Sequence, residues 1–157
     1  MIVLVVALTL TLTVTPEHDA VVAAVQQFFD AMAAKDVEGA SEVLVPDGQF
    51  FSTRTIDREK VVRRSTNRDF LERLASSKDD WLERMWEPEV RIRGDVATVW
   101  APYDFFVNGG FSHCGYDAFQ LMKIDGRWMI TGGSYTVEVA GCEPSPLGPP
   151  ELASPVQ

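Results

Sequence analysis

Cysteine and histidine are scarce in this chain, since its 157 residues include two of each. No Cys pair has zinc-like spacing, and no glycine-rich phosphate loop occurs. Basic residues are also few, 14 against 23 acidic residues, for a formal net charge of -9. An anionic surface repels phosphate backbones and anionic headgroups, so the composition argues against nucleic acid and membrane surfaces as partners. We therefore predict no metal and no other cofactor.

Long apolar runs are absent except at the start, where MIVLVVALTLTLTVT carries no charge. The run is too short to span a membrane and has the length of a signal-peptide core. However, no Lys or Arg precedes it, and no A-x-A cleavage pattern follows. Its alternating Thr and Leu also suit an added edge strand, and a misplaced start codon is a further alternative. We predict a leader over 1–15 and a secreted or periplasmic protein, the alternative being a cytoplasmic one.

The two cysteines, Cys114 and Cys142, suit two interpretations that their spacing does not separate. They could form a disulfide in an exported protein, or Cys114 could be a small buried thiol in an apolar strand, which the strand pattern favours. After Cys142 the chain is rich in Pro and Ser. We expect the domain to cover 16–141 and the segment 142–157 to be an extended or disordered tail.

Helix signals dominate the first half of the domain. Thr15 followed by Pro16 is a strong helix start, and apolar residues then recur at helical spacing to about Lys35. Asp36 is placed to cap a short second helix to Leu44.

A turn at 46–48 and a short strand over 49–53 are predicted next. A third helix is predicted from Asp57 to about Ser76, and its expected buried residues are Val61, Val62, Phe70, Leu71 and Leu74.

From Trp81 onward the pattern becomes that of strands separated by turns at 94–95, 108–110 and 125–126. Helices followed by an antiparallel meander predict an α+β domain. In such a domain the N-terminal helices pack on one face of a curved antiparallel sheet and leave a conical cavity open at one end.

The run WEPEVRIRGDVATVWAPYDFFVNGGFSHCGYDAFQLMKIDGRWMITGGSYTVE resembles the nuclear transport factor two-like superfamily. Within it, the resemblance is to the bacterial lumazine-binding-like branch, which is SnoaL-like and ketosteroid isomerase-like. The resemblance implies a cone-shaped fold but no single activity, because the superfamily includes isomerases, dehydratases, polyketide cyclases, epoxide hydrolases and non-catalytic modules. No catalytic motif of ketosteroid isomerase matches here residue by residue.

Two-residue hairpins at the last two turns would place His113 opposite Asp104 and Glu138, on the same sheet face as Asp117. We therefore take His113, Asp104 and Asp117 as candidate catalytic residues. The candidate ligand-binding residues are Trp100, Tyr103, Phe106, Phe119, Trp128 and Tyr116. The two tyrosines would enter the cavity only if a bulge shifted the register, and the same shift would turn Asp104 away. A structural His113–Asp104 pair within an aromatic core is the alternative.

Three functions stay open from the sequence. The first is a domain that binds a small apolar molecule in a pocket lined by His and Asp residues. The second is a metal-independent lyase, isomerase or hydrolase of the ketosteroid isomerase-like or polyketide cyclase-like type, with His113 or an aspartate as base. The third is a dimeric protein-interaction module. Here the opposite sheet face, with Tyr103, Phe105, Tyr116, Met122, Met129 and Tyr135, would form a homodimer interface.

Overall fold

The structure is a computed structural model that describes residues 15–150. It contains three helices, α1 (Pro16–Ala34), α2 (Val37–Val43) and α3 (Asn67–Ser76). Its seven strands are β1 (Leu44–Ile56), β2 (Glu59–Thr66), β3 (Trp81–Met85), β4 (Glu89–Arg93), β5 (Val96–Val107), β6 (Gly110–Ile124) and β7 (Arg127–Val137). The α+β class is confirmed. The predicted leader 1–15 lies outside the described residues, apart from Thr15.

The strands form one curved, open sheet in the order β2-β1-β7-β6-β5-β3, and β4 also pairs with β5. Neighbouring strands are antiparallel, except that β1 and β7 run parallel. The helices cover the inner face of this sheet, and α1 contributes most of the helical core. The core residues of α1 are Val21, Ala24, Val25, Phe28, Phe29, Ala31 and Met32. A hydrophobic core on one sheet face leaves the opposite, outer face to other contacts.

The first two helices begin where their capping residues predict. The Thr15 hydroxyl accepts a hydrogen bond from the His18 amide, with Pro16 in the first turn. The Asp36 carboxylate accepts one from the Gly39 amide at 2.9 Å. Each cap satisfies a backbone N–H that has no partner inside its helix, which is why the local sequence is sufficient to place both starts.

The predicted helix from Asp57 to Ser76 is wrong in its first half. Asp57 and Arg58 both have positive φ, 50° and 69°, and form the turn of a β1–β2 hairpin. Val62 therefore lies on β2 with 64% of its surface exposed, instead of in the core. The helix begins only at Asn67, after a reciprocal capping box between Thr66 and Asp69. The predicted turn at 46–48 also lies inside β1, beside an irregularity in its pairing with β7.

Two register shifts interrupt the pairing of β6 with its neighbours. Near the turns the predicted register holds, with Phe106 opposite Phe111 and Leu121 opposite Ile130. Beyond each shift the pairing moves by one residue, so that His113 is opposite Phe105. The predicted pairing of His113 with Asp104 and Glu138 is therefore wrong, and Cys114 has both of those partners. Because strand side chains alternate between faces, each shift exchanges the residues that reach the cavity.

The C-terminal tail is tied to the outer face of the sheet. Cys114 and Cys142 form a disulfide, so the expectation of a free buried thiol is wrong. The Arg84 guanidinium also donates a hydrogen bond to the Gly148 carbonyl at 2.9 Å. Thus the tail, as far as residue 150, lies against the domain without forming a helix or a paired strand. Within residues 15–150, no helix is both long and apolar enough to cross a membrane.

Candidate functional site

A cavity of about 320 Å³ lies between the helices and the inner face of the sheet. Its aromatic lining comprises Phe28, Phe50, Phe70, Trp81, Tyr103, Phe105, Phe119 and Tyr135. Its polar lining comprises Arg54, Ser65, Arg73, Glu83, Ser112, His113 and Asp117. This volume is at the lower end of the range for small-molecule sites, which are mostly apolar with a few polar groups.

A pair of carboxyl groups, Glu83 on β3 and Asp117 on β6, lies in this cavity. Asp117 is only 4% exposed, and its carboxyl hydrogen-bonds to that of Glu83. Two carboxylates cannot hydrogen-bond to each other without a proton, so the pair holds at least one. Burial raises the pKa of Asp117 to about 8. Burial, and secondarily the Asp117 charge, raises the pKa of Glu83 well above its ordinary range.

Tyr103 lies beside this pair and is almost fully buried. Burial, followed by the charges of Glu83 and Asp117, raises the pKa of its phenol, which stays protonated at neutral pH. Its hydroxyl donates a hydrogen bond to the Thr136 carbonyl at 2.6 Å. The phenolic proton is thus already engaged by the backbone, and Tyr103 acts first as a structural wall of the cavity.

His113 is held among aromatic rings in place of the predicted carboxylates. Its imidazole stacks on Phe105 with ring centroids 4.8 Å apart and meets the edge of Tyr103 at 5.8 Å. Its Nδ1 lies 2.9 Å from the Ser112 hydroxyl. Burial, together with the positive charge of Arg54, lowers the pKa of His113 to about 4. The imidazole is therefore neutral at pH 7 and has one ring nitrogen able to accept a proton.

Two arginines complete the polar lining. Arg73 on α3 donates a hydrogen bond to the Ser65 hydroxyl at 3.1 Å. Arg54 on β1 has a buried Nε with no hydrogen-bond partner among residues 15–150. No carboxylate in that part of the chain forms an ion pair with either arginine. An unpaired buried guanidinium N–H is energetically unfavourable, so Arg54 stands out among the residues of the cavity.

The structure brings four of the predicted site residues together in this cavity: His113, Asp117, Tyr103 and Phe119. Asp104 is not among them, because the register shift turns it to the outer face. There it forms a bidentate pair with Arg84, at 2.9 and 2.6 Å. Its predicted proximity to His113 in the cavity is wrong for that reason.

The other predicted ligand-binding residues also lie away from the cavity. Phe106 packs under the Arg84 guanidinium on the outer face, 5.1 Å from its ring centroid. Trp100 and Tyr116 stack on each other at 5.3 Å on that same face. Trp128 is in the core, and its indole N–H donates to Glu17 at 3.0 Å. Trp100 and Phe106 were placed on the face of His113 by an uninterrupted register between β5 and β6, which the structure does not keep.

The sequence interpretation missed Glu83, Arg54 and Tyr135 as cavity residues. Glu83 had a usable signal, since it alternates with Trp81 and Met85 on β3, so that all three share the inner face. No comparable sequence signal marks Arg54, because β1 reaches that residue only through its pairing with β2. In residues 15–150, no three His, Cys, Asp or Glu side chains are grouped so that they could hold a metal ion. The chemistry of the cavity thus depends on a protonated carboxyl pair, a neutral imidazole and an unpaired cation.

Helices packed on a curved, open sheet around a cavity define an α+β domain of the nuclear transport factor 2-like class. Residues 16–136 match the family described as "Putative lumazine-binding", and the chain belongs to that family. No curated protein matches the chain.

Solved structures of the same fold are many and distant in sequence. A nuclear transport factor 2-like protein from Cytophaga hutchinsonii is 18% identical, with a TM-score of 0.65 over 78% of this chain and 99% of that one. A protein of unknown function from Mycobacterium tuberculosis is 17% identical, with a TM-score of 0.63 over 80% of this chain and 78% of that one. A "putative dehydratase" from Streptomyces avermitilis is 16% identical, with a TM-score of 0.59 over 80% of this chain and 100% of that one. At these identities the likeness shows the fold alone.

Proposed function

We propose that this protein binds a small, largely apolar molecule in the cavity between its helices and the inner face of its sheet. The observation that carries the proposal is the cavity itself, whose wall is mostly apolar, with aromatic side chains predominating, and whose polar groups line the same space. His113 and Asp117 serve as polar anchors, and Phe119 forms part of the apolar wall. Such a combination fixes the orientation of a ligand while most of its surface is removed from water.

Native mass spectrometry of the protein, purified gently from its own host, tests the proposal. We expect a retained small molecule in the wild-type protein. Ser65 lies in the cavity wall, so Ser65→Trp should fill part of the space and remove the retained mass. Ser134→Trp is the matched control, because Ser134 is exposed on the outer face of β7. An empty wild-type protein that also binds no hydrophobic probe would contradict the proposal.

A second candidate function is catalysis by a metal-independent lyase, isomerase or hydrolase. The carboxyl pair favours it, because Glu83 and Asp117 hold a proton in the same cavity as a neutral His113 that can accept one. One structure of this fold carries the name "putative dehydratase".

The test follows any retained molecule over time with the wild-type protein, with His113→Ala and with Asp117→Asn. Loss of product in folded variants would support catalysis. Turnover that is unchanged in both variants would remove these residues from the mechanism.

A third candidate is a dimeric interaction module that uses the outer face of the sheet. Trp100, Tyr116 and Met122 are 48%, 41% and 45% exposed there, and several exposed apolar side chains on one face suit a protein-interaction surface. Of the residues expected on this face, Tyr103, Phe105 and Tyr135 instead line the cavity.

We propose a homodimer through the remaining apolar patch. Light scattering should give twice the chain mass at micromolar concentration, and Trp100→Glu should lower it to the monomer mass. A wild-type protein that is monomeric under those conditions would contradict the homodimer.

We also propose that the protein is secreted or periplasmic. The disulfide between Cys114 and Cys142 supports this location, because structural disulfides persist in oxidising compartments. The apolar segment that precedes the helix cap Thr15 has the composition of a removable leader. Fractionation of the host cells combined with the intact mass of the mature protein tests it. Full-length protein in the cytoplasm, with both thiols reduced, would contradict the proposal.

A further inference from the structure

The cavity of this acidic protein has an excess of positive charge. Arg54 and Arg73 contribute two cations to its lining, while the carboxyl pair shares a proton and contributes at most one negative charge. The imidazole of His113 is neutral at pH 7. By contrast, the whole chain has a formal net charge of -9. The site is thus electrostatically complementary to an anion, although the surface as a whole is not.

Arg54 is the residue that would bind this anion. Its Nε is buried and has no hydrogen-bond partner in the described part of the chain. A guanidinium presents Nε and Nη as a planar fork that matches the two oxygens of a carboxylate. A bound carboxylate would therefore satisfy a donor that the protein leaves unsatisfied.

The apolar part of the ligand is defined by the neighbouring rings. Phe50 lies on the same strand and the same face as Arg54, four residues or about 13 Å earlier along β1. Phe50 stacks on Phe28 at 6.3 Å and meets Phe119 edge-on at 5.8 Å. Flat rings pack well in such aromatic surroundings. The cavity volume of about 320 Å³ equals roughly ten water volumes at ~30 Å³ each, which suits a molecule of one or two rings.

The carboxyl pair adds a second polar contact within the same cavity. Asp117 Oδ2 is buried and has no hydrogen-bond partner among residues 15–150. A protonated carboxyl can donate a hydrogen bond to a carbonyl or hydroxyl oxygen of a ligand.

We infer that the ligand is a small aromatic or conjugated carboxylic acid, whose carboxylate pairs with Arg54 and whose ring lies among Phe28, Phe50 and Phe119. This inference rests on the proposed ligand-binding function and specifies the chemical class of the ligand. It also assigns to Arg54 a role that the sequence motifs do not indicate.

A pair of isosteric probes, 2-naphthoate and 2-naphthamide, tests the inference by isothermal titration at pH 7. We expect the acid to bind the wild-type protein at least tenfold more tightly than the neutral amide. Arg54→Met should remove that preference, and Arg54→Lys should keep part of it because the charge remains without the fork. Arg63→Met is the matched control, since Arg63 is exposed on the neighbouring strand β2. It should retain the full preference.

The outcomes separate the two proposals. Equal binding of acid and amide to the wild-type protein would overturn the anion inference and leave the ligand-binding function intact. A preference for the acid that persists in Arg54→Met, or that survives Ser65→Trp, would also overturn it. If neither probe binds and the protein from its own host is empty, both proposals fail. Because the first comparison uses the wild-type protein alone, it does not depend on the folding of any variant.

Discussion

The carboxyl pair in the cavity makes the stability of the protein depend on pH in an unusual direction. Burial raises the pKa of Asp117 from its ordinary 3.8 to about 8. A group with a raised folded pKa contributes stability that is fully present below its ordinary pKa and is lost as pH rises through the folded pKa. The contribution of Asp117 to the free energy of unfolding should therefore fall between about pH 4 and pH 8. Glu83, whose pKa is also raised by burial, acts in the same direction.

His113 has the opposite effect in the lower half of that range. The pKa of His113 in the folded state, about 4, lies below the ordinary 6.5. Its contribution to the free energy of unfolding is therefore present above pH 6.5 and is lost as pH falls through 4. Between pH 4 and 6.5 it therefore offsets Asp117. Between pH 6.5 and 8 the offset is absent, and one extra proton held by the folded state changes stability by about 1.4 kcal/mol per pH unit. Over that interval the loss attributable to Asp117 is up to about 2 kcal/mol.

Urea unfolding at half-unit steps from pH 5 to pH 8.5 measures this dependence. We expect wild-type stability to fall between pH 6.5 and 8, and Asp117→Asn to show a flatter profile because its side chain does not ionise. Asp125→Asn is the matched control, since Asp125 is an exposed turn residue with positive φ that Asn also adopts readily. It should follow the wild-type profile. A wild-type stability that rises from pH 6.5 to 8, or an equal slope in Asp117→Asn, would refute the reasoning.

Three further predictions concern the fold. Cys142→Ser should lower the free energy of unfolding by about 3–4 kcal/mol, because the disulfide closes a loop with a sequence separation of 28. In urea titrations, a reductant should then destabilise the wild-type protein and leave the variant unchanged. Gly132→Ala should abolish soluble expression, because Gly132 has a φ of 144° and its new Cβ would overlap the backbone of β1. Gly110→Ala, which meets only ordinary contacts, should express normally. Leu74→Ala should lower the free energy of unfolding by about 2–5 kcal/mol, whereas exposed Leu147→Ala should change it by less than about 0.5 kcal/mol. Equal losses in the two leucine variants would contradict the assignment of Leu74 to the core.

Local signals explain which parts of the fold could be predicted from the sequence. The caps at Thr15 and Asp36 and the turns around Gly94 and Gly126 each depend on a few adjacent residues. The β1–β2 hairpin was missed because its turn uses Asp57 and Arg58 in the left-handed region, without a glycine to mark it. Its β2 residues also suit a helical pattern, so periodicity over such a short segment does not decide between the two.

The cavity could be predicted as a feature, but most of its polar residues could not. Helices followed by a curved sheet imply an enclosed inner face whatever the register is. Which side chains occupy that face depends on where β6 shifts against β5 and β7, and a shift of one residue leaves no clear mark in the sequence. Arg54 also comes from a strand whose length depends on the β1–β2 hairpin, which the sequence pattern does not indicate.

The register shift between β5 and β6 also changes which group in the cavity is the proton donor and which is the proton acceptor. Between two carboxylates, His113 would have a raised pKa and would be a proton donor at neutral pH. Facing Phe105 and near Arg54, it is instead neutral, while the carboxyl pair of Glu83 and Asp117 retains the proton. If the cavity is catalytic, His113 is therefore the base and the carboxyl pair is the acid. Activity would then rise through about pH 4 as His113 loses its proton and fall through about pH 8 as the pair loses its own. An activity that increases across pH 8 would exclude the carboxyl pair as the acid.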